Sequence, residues 1–198
     1  MSDPHPAPAP DPEVRPKPIL NLALSGELRL ELLEPRHAEA LFRTVDENRA
    51  HLRQWLPWLD FTRSPEDSLE FIRRTREQLG ANNGFQTALV VRGEIAGMIG
   101  HIGIRWQHRA TELGYWLGEK HQGRGFMTLA CRACIGHAFG ELGLNRVEIR
   151  VATENGRSRG IPERLGFQLE GVVRDAEWLY DRFVDHAVYG LLAREWQG

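Results

Sequence analysis

Glu112-Leu-Gly-Tyr-Trp-Leu-Gly-Glu-Lys-His-Gln-Gly-Arg-Gly-Phe-Met-Thr128 is the stretch from which the fold is read. It opens as an apolar strand, turns through glycines and ends at a helix start. Gly123 and Gly125 let the backbone fold tightly, so the N–H groups that follow stand at a helix N-terminus. Free N–H groups and the helix dipole together favour an anion such as pyrophosphate. A plain glycine turn between strand and helix is the competing reading, and the glycines alone leave both open. Two familiar phosphate loops do not fit. A Walker loop requires Gly-Lys-Ser/Thr after its glycines. A Rossmann loop requires a third glycine, whereas Gly125 is followed by Phe126, Met127 and Thr128.

Downstream, residues 126–140 read as a helix ending at Gly140 or Gly143. Arg146 to Val151 alternates, with Val147, Ile149 and Val151 on one strand face. A short helix is expected at about 156–165, and Phe167–Val173 and Phe183–Leu192 read as the last strands. Upstream, Leu28, Leu30 and Leu32 alternate as a half-buried strand. Pro35 suits a first helical turn, and Ala38, Leu41, Phe42 and Val45 recur at helical spacing. Ser64-Pro65-Glu66-Asp67 is a helix start, with Ser64 as cap and a carboxylate at the third position; that helix should reach Gly80, a plausible position just past its C-terminus. Phe85–Val91, a turn at Arg92-Gly93-Glu94, and Ile95–Trp106 read as a hairpin. Gly97, Gly100 and Gly103 in its second strand predict bulges or close backbone approach. Strands alternating with helices predict an α/β domain with a mixed sheet.

The chain has 198 residues, 41% hydrophobic and 26% charged, with formal net charge −2. That is enough for one globular core and too apolar for a disordered chain. No apolar stretch is long enough to span a membrane. The charge lacks the basic footprint of a nucleic-acid binder. Of the 25 basic residues only Lys17 and Lys120 are lysines; arginine clamps anions but is a poor general base. Cys131-x-x-Cys134 has no second pair, so neither a disulfide framework nor a four-thiolate zinc site is expected. The two thiols lie three apart on one helix face and read as buried small hydrophobes. With no apolar signal region, the reading is cytoplasmic. Seven of the eleven prolines fall in residues 1–18, which predicts a disordered, polyproline-like tail before a single domain at 19–198.

Gln122-Gly-Arg-Gly-Phe-Met127 closely resembles the pyrophosphate motif of the GNAT superfamily of N-acetyltransferases, Gln/Arg-x-x-Gly-x-Gly/Ala; Met127 replaces the small last residue and is expected to place a bulkier side chain near the pyrophosphate. Leu52-Arg-Gln-Trp-Leu-Pro-Trp58, Glu112-Leu-Gly-Tyr-Trp-Leu117, Leu144-Asn-Arg-Val-Glu-Ile149, Asn155-x-x-Ser158 and Leu165-Gly-Phe167 extend the resemblance over most of residues 28–192. Within the superfamily the chain is similar to the RimJ/RimL branch, which acetylates N-terminal amines of ribosomal proteins. The resemblance implies an α/β GNAT fold whose mixed, mostly antiparallel sheet splits into a V. It implies acetyl-CoA as donor and no metal. The backbone of Gln122, Gly123, Arg124, Gly125, Phe126, Met127 and Thr128 would hold the pyrophosphate. A backbone N–H near Leu117 would polarise the thioester carbonyl, as an oxyanion donor does, and Asn155 would lie at the coenzyme site. Trp55, Trp58 and Tyr115 are the candidate acceptor-binding residues. Many members of the superfamily are homodimers, so one is expected here.

The resemblance also implies two catalytic groups. Ser158 would serve the departing thiolate, a role that a tyrosine fills in many members at the place of Pro162. Glu177, expected in a loop between the last two strands, would take the amine proton. The plainer alternatives are that Asn155 caps a helix, Ser158 sits in its first turn, and Glu177 is a solvated carboxylate. Glu112, Tyr115 and His101 are weaker candidates. Freeing an α-amine of its proton at pH 7 costs about 1.4 kcal/mol, against about 4.6 kcal/mol for a lysine side chain. A single half-solvated carboxylate suits the first case. This is consistent with the acceptor that the resemblance implies, the N-terminal amine of a ribosomal or other protein. A small amine such as a polyamine, an aminoglycoside-like drug or an amino acid is the alternative, as is a coenzyme A-binding protein without catalysis.

Overall fold

The computed structural model describes residues 21–198; the expected proline-rich tail at 1–18 lies outside the described residues. Eight strands form one sheet: β1 (Asn21–Ala23), β2 (Leu28–Leu32), β3 (Phe85–Val91), β4 (Glu94–Arg105), β5 (Ala110–Leu117), β6 (Arg146–Ala152), β7 (Gln168–Leu179) and β8 (Arg182–Leu192). Their order is β1-β2-β3-β4-β5-β6-β8-β7. The β5–β6 pair is parallel and the other neighbours are antiparallel. The helices are α1 (Ala38–Glu47), α2 (Arg49–Leu52), α3 (Pro65–Gly80), α4 (Phe126–Gly140) and α5 (Gly156–Arg164).

Local chemistry accounts for these boundaries. The α3 start is a closed capping box: the Ser64 N–H donates to the Asp67 carboxylate at 2.9 Å. Gly80 is the last helical residue rather than the one beyond it, and the left-handed step falls to Asn82 at φ 54°. Gly97 and Gly100 sit where a Cβ would strike the backbone of Trp116 and Phe85. Around Gly103 there is space instead, and the register slips between His101 and Gly103 as at a bulge.

The two sheet faces are covered differently. Leu89, Ile99, Leu113, Val147, Ile149 and Tyr189 pack under α4, whose Phe126, Ala130, Cys131, Cys134 and Ile135 are all buried. The α1 and α3 helices cover Ala88, Val90 and Met98 on the other face, with Trp116 against them. Because side chains alternate along a strand, Leu113, Tyr115 and Leu117 of β5 face α4. Glu112, Gly114 and Trp116 face the opposite side.

His101 is wholly buried in β4, with Nδ1 3.3 Å from the Thr111 hydroxyl. Burial, and secondarily the charge of His137, pull it down to about 3. The folded state thus holds a neutral ring where the unfolded chain takes up a proton below about pH 6.5. Stability present above that pH must fall as pH drops toward 3. Between pH 6.5 and 5 this one group contributes a loss of about 2 kcal/mol. Urea unfolding of His101→Phe should show that much less pH dependence than the parent over the same interval; equal slopes would contradict the assignment.

Candidate active site

The glycine turn after β5 is dictated by backbone conformation. Gly123 and Gly125 adopt φ +74° and +76°, a left-handed region that costs an L-residue about 1–2 kcal/mol. Gly125 is the N-cap of α4, and no side chain caps this helix. The first helical bond runs from the Leu129 N–H to the Gly125 carbonyl. The N–H groups of Phe126, Met127 and Thr128 therefore have no partner in the helix and point to the turn. That cradle fits a pyrophosphate. The side chains of Phe126 and Met127 do not reach it, because both are buried in the core. The expectation that Met127 crowds the pyrophosphate is corrected: the second helical position faces α4's packing surface.

Side chains distant in sequence moor the turn. The Gln122 amide oxygen accepts from Arg157 at 2.8 Å, and its nitrogen lies 2.7 Å from His51 Nε2. Arg124 bonds both Glu27 oxygens, at 2.9 and 3.1 Å, and its guanidinium lies 4.5 Å from the Phe126 ring centre. Arg92 foremost, with Arg124, holds the Glu27 carboxyl below its usual range. Thr128 Oγ1 accepts from Arg164 at 3.5 Å.

Beside this turn the sheet opens. β5 pairs with β6 only at Ala110, Thr111 and Glu112, while β6 stays paired to β8 through Ala152. Leu113–Leu117 thus leave a fork with β6. On the α4 side of the fork, the Ser158 hydroxyl donates to Tyr115 Oη at 3.4 Å, and Tyr115 Oη donates to the Ser158 carbonyl at 3.2 Å. Burial raises the Tyr115 phenol far above its ordinary range, so it stays protonated. Asn155 caps α5, its side chain accepting the Ser158 N–H at 3.1 Å. Ser158 is accordingly both a first-turn residue and a hydroxyl presented to the fork. Leu117 ends β5 opposite Gly97.

On the other face lies a cleft of about 820 Å³, lined by Trp58, Phe61, Phe71, Met98, Tyr115 and Trp116 among others. Trp58 and Trp116 pack with ring centres 6.2 Å apart. Trp55 is half-buried on the preceding turn and is not among the residues that line this cleft. Arg53 and Arg63 are engaged with Asp60. Glu112, at the end of the β5–β6 ladder, has its carboxyl raised by burial, which outweighs Arg150.

Glu177 lies on β7, not in a loop. The strand continues past Val173, its register slips, and Glu177 pairs opposite Val184. Its carboxylate is 3.5 Å from His186 Nε2. Three residues on, the Tyr180 hydroxyl donates to the Leu56 carbonyl at 2.6 Å, and Tyr180, like Trp58 and Trp116, packs against Val45, Leu52 and Leu59. The β7–β8 hairpin is thereby docked beside the cleft. Sequence reading did not find His51, Arg157, Glu27 or His186. His51, Arg157 and Glu27 meet the turn across 35 to 97 residues of chain, where no spacing rule marks a contact, and His186 meets Glu177 across a hairpin whose bulge shifts the register.

The chain matches the Acetyltransferase (GNAT) domain family over residues 27–168 and belongs to that family. It is 38% identical to YdaF of Bacillus subtilis (strain 168) over 176 residues, or 88% of this chain and 96% of that protein. It is 31% identical to the ribosomal-protein-serine acetyltransferase of Escherichia coli (strain K12), over 85% of this chain and 94% of that protein. The solved structure of the ribosomal alpha-N-protein acetyltransferase RimL in complex with coenzyme A has a TM-score of 0.84 at 26% identity, covering 87% and 97%. The microcin C7 self-immunity acetyltransferase MccE, in complex with acetyl-CoA and AMP, has a TM-score of 0.83 at 25% identity, covering 91% and 99%. The protein is an acetyl-CoA-dependent N-acetyltransferase.

A side chain at Gly125 would strain the turn. Gly125→Ala should weaken acetyl-CoA binding about tenfold, read by calorimetry. Gly136→Ala, in open space within α4, should leave the affinity unchanged. Equal affinities in the two variants would contradict the role of the turn.

Proposed function

We propose that this enzyme acetylates the N-terminal α-amine of a ribosomal or other protein by direct transfer from acetyl-CoA. The observation that carries this reading is the pairing of the fork with the cleft behind it. Coenzyme and acceptor can approach β5 from opposite faces and meet beside Tyr115 and Trp116. The name of the Escherichia coli relative supports a ribosomal acceptor.

Bound acetyl-CoA supplies the acyl group as an activated thioester. The backbone of residues 122–128 and the α4 N-terminus hold its pyrophosphate, and a backbone N–H near Leu117 stands for the thioester oxygen. Glu177 removes the acceptor's proton, directly or through a water. The α-amine asks little of it, about 1.4 kcal/mol at pH 7. Ser158 donates toward the departing sulfur, its hydroxyl turning from the long 3.4 Å contact that it makes with Tyr115 Oη. Pro162 occupies the place where many superfamily members carry a tyrosine, and it is buried within α5.

The cleft argues for a peptide over a polyamine. A polyamine needs carboxylates to face its charges. Of the two lining carboxylates, Asp67 accepts the N–H groups of Arg63 and Ser64, and Glu70 pairs with Arg74 at 3.0 Å. The remaining wall is largely aromatic and aliphatic, which suits peptide side chains. A homodimer fits the exposed edge strand β7, where Leu169, Val172 and Trp178 are each about half exposed. Two free, buried cysteines suit a cytoplasmic setting. Among the described residues, no helix is long and apolar enough to cross a membrane.

Two measurements test this reading. With a fixed peptide, Glu177→Gln and Ser158→Ala should each lower kcat about a hundredfold; wild-type rates in both across pH 6–9 would overturn the assignment. Isotopically labelled acetyl-CoA added to a lysate should label protein α-amines by mass spectrometry. Label found on polyamines or lysine side chains instead would overturn the acceptor.

A further inference from the structure

Glu177 follows directly on an irregular stretch of β7, although it must meet an amine at one place. Between Val173, opposite His186, and Glu177, opposite Val184, β7 spends four residues where β8 spends two. The intervening Arg174, Asp175 and Ala176 bulge outward, all exposed, with Asp175 at φ 48°. One contact ties the bulge back, the Asp175 N–H donating to the Asp185 carboxylate at 2.9 Å. Something other than the ladder must fix the Glu177 side chain.

His186 is placed to do so. It lies on β8 between two neighbours, opposite Ala152 of β6 and Val173 of β7. Its backbone is therefore held on both edges. Val184 and His186 emerge on one face, and Glu177 across the hairpin is the diagonal neighbour of His186, within reach of a long side chain. The Nε2–Oε2 separation is 3.5 Å, with the imidazole 17% and the carboxylate 30% exposed.

We infer that His186 is a positioning residue that holds the Glu177 carboxylate in place for the acceptor amine, through the 3.5 Å contact between Nε2 and Oε2. The inference rests on the reading of Glu177 as the base. Nε2 donates in the cationic ring and in the neutral tautomer that carries its proton there, and the contact then limits the carboxylate to one side of the hairpin. Losing it leaves a base of unchanged chemistry in the wrong place, and misplacement by about 1 Å can cost about a hundredfold in rate.

The test is a double-mutant cycle in the full chain, with His186→Phe, His186→Gln, Glu177→Gln and the double variant His186→Phe/Glu177→Gln. His186→Phe should lower kcat about ten- to a hundredfold and leave the KM for acetyl-CoA unchanged. His186→Gln, which keeps an N–H donor, should restore most of the rate. In the Glu177→Gln background, His186→Phe should have no further effect. If Glu177→Gln is slow but His186→Phe is silent, or its effect adds fully, the positioning role is overturned and the base stands. If Glu177→Gln keeps the wild-type rate, the base reading falls and takes this inference with it. A His186→Phe variant with raised acetyl-CoA KM and no rescue by His186→Gln would show a merely structural residue.

Discussion

Three parallel residue pairs, Ala110 with Arg146, Thr111 with Val147 and Glu112 with Glu148, join the two halves of the sheet before β5 and β6 part. β6 is committed to β8 over its whole length and β5 to β4, so neither strand can bend to close the gap. The backbone groups of Leu113–Leu117 that face β6 therefore need a partner, because unpaired peptide groups away from water are costly. An extended ligand with amides of its own can serve as that partner, as a strand added to an open edge does. The glycine turn follows at once, its uncapped N–H groups ready for the anionic end of the same ligand. Ser158 and Tyr115 line the fork, and the cleft opens behind it. The site is thus a consequence of where one ladder stops.

Most of this frame was legible in the sequence, for local reasons. Ser64-Pro65-Glu66-Asp67 specifies its helix by cap chemistry alone, and the alternation in Arg146–Val151 specifies β6. Gly123 and Gly125 announce a turn, and the structure gives the cause in their left-handed φ values. Motifs in order, and not composition, separated an acetyltransferase from a nucleotide-binding module. A net charge of −2 concealed an anion site because that site is built from backbone N–H groups.

What was not legible depends on side chains meeting across the fold. Met127 looks like an obstacle in a motif, yet helical geometry turns it into the core. Glu177 reads as a loop residue because Asp175 and Ala176 break the strand pattern, whereas the ladder resumes after a bulge. Trp55 and Trp58 are indistinguishable in sequence, and only Trp58 finds Trp116. His51, Arg157 and Glu27 reach the turn from elements up to 97 residues away in sequence.

The central claim is that the fork and the glycine turn receive one ligand together. Amide hydrogen exchange with and without coenzyme A tests it most directly. Exchange should slow in Leu113–Leu117 and in Gly123–Thr128 at the same ligand concentration, with α3 unchanged. Protection of the turn alone, or of neither segment, would contradict it.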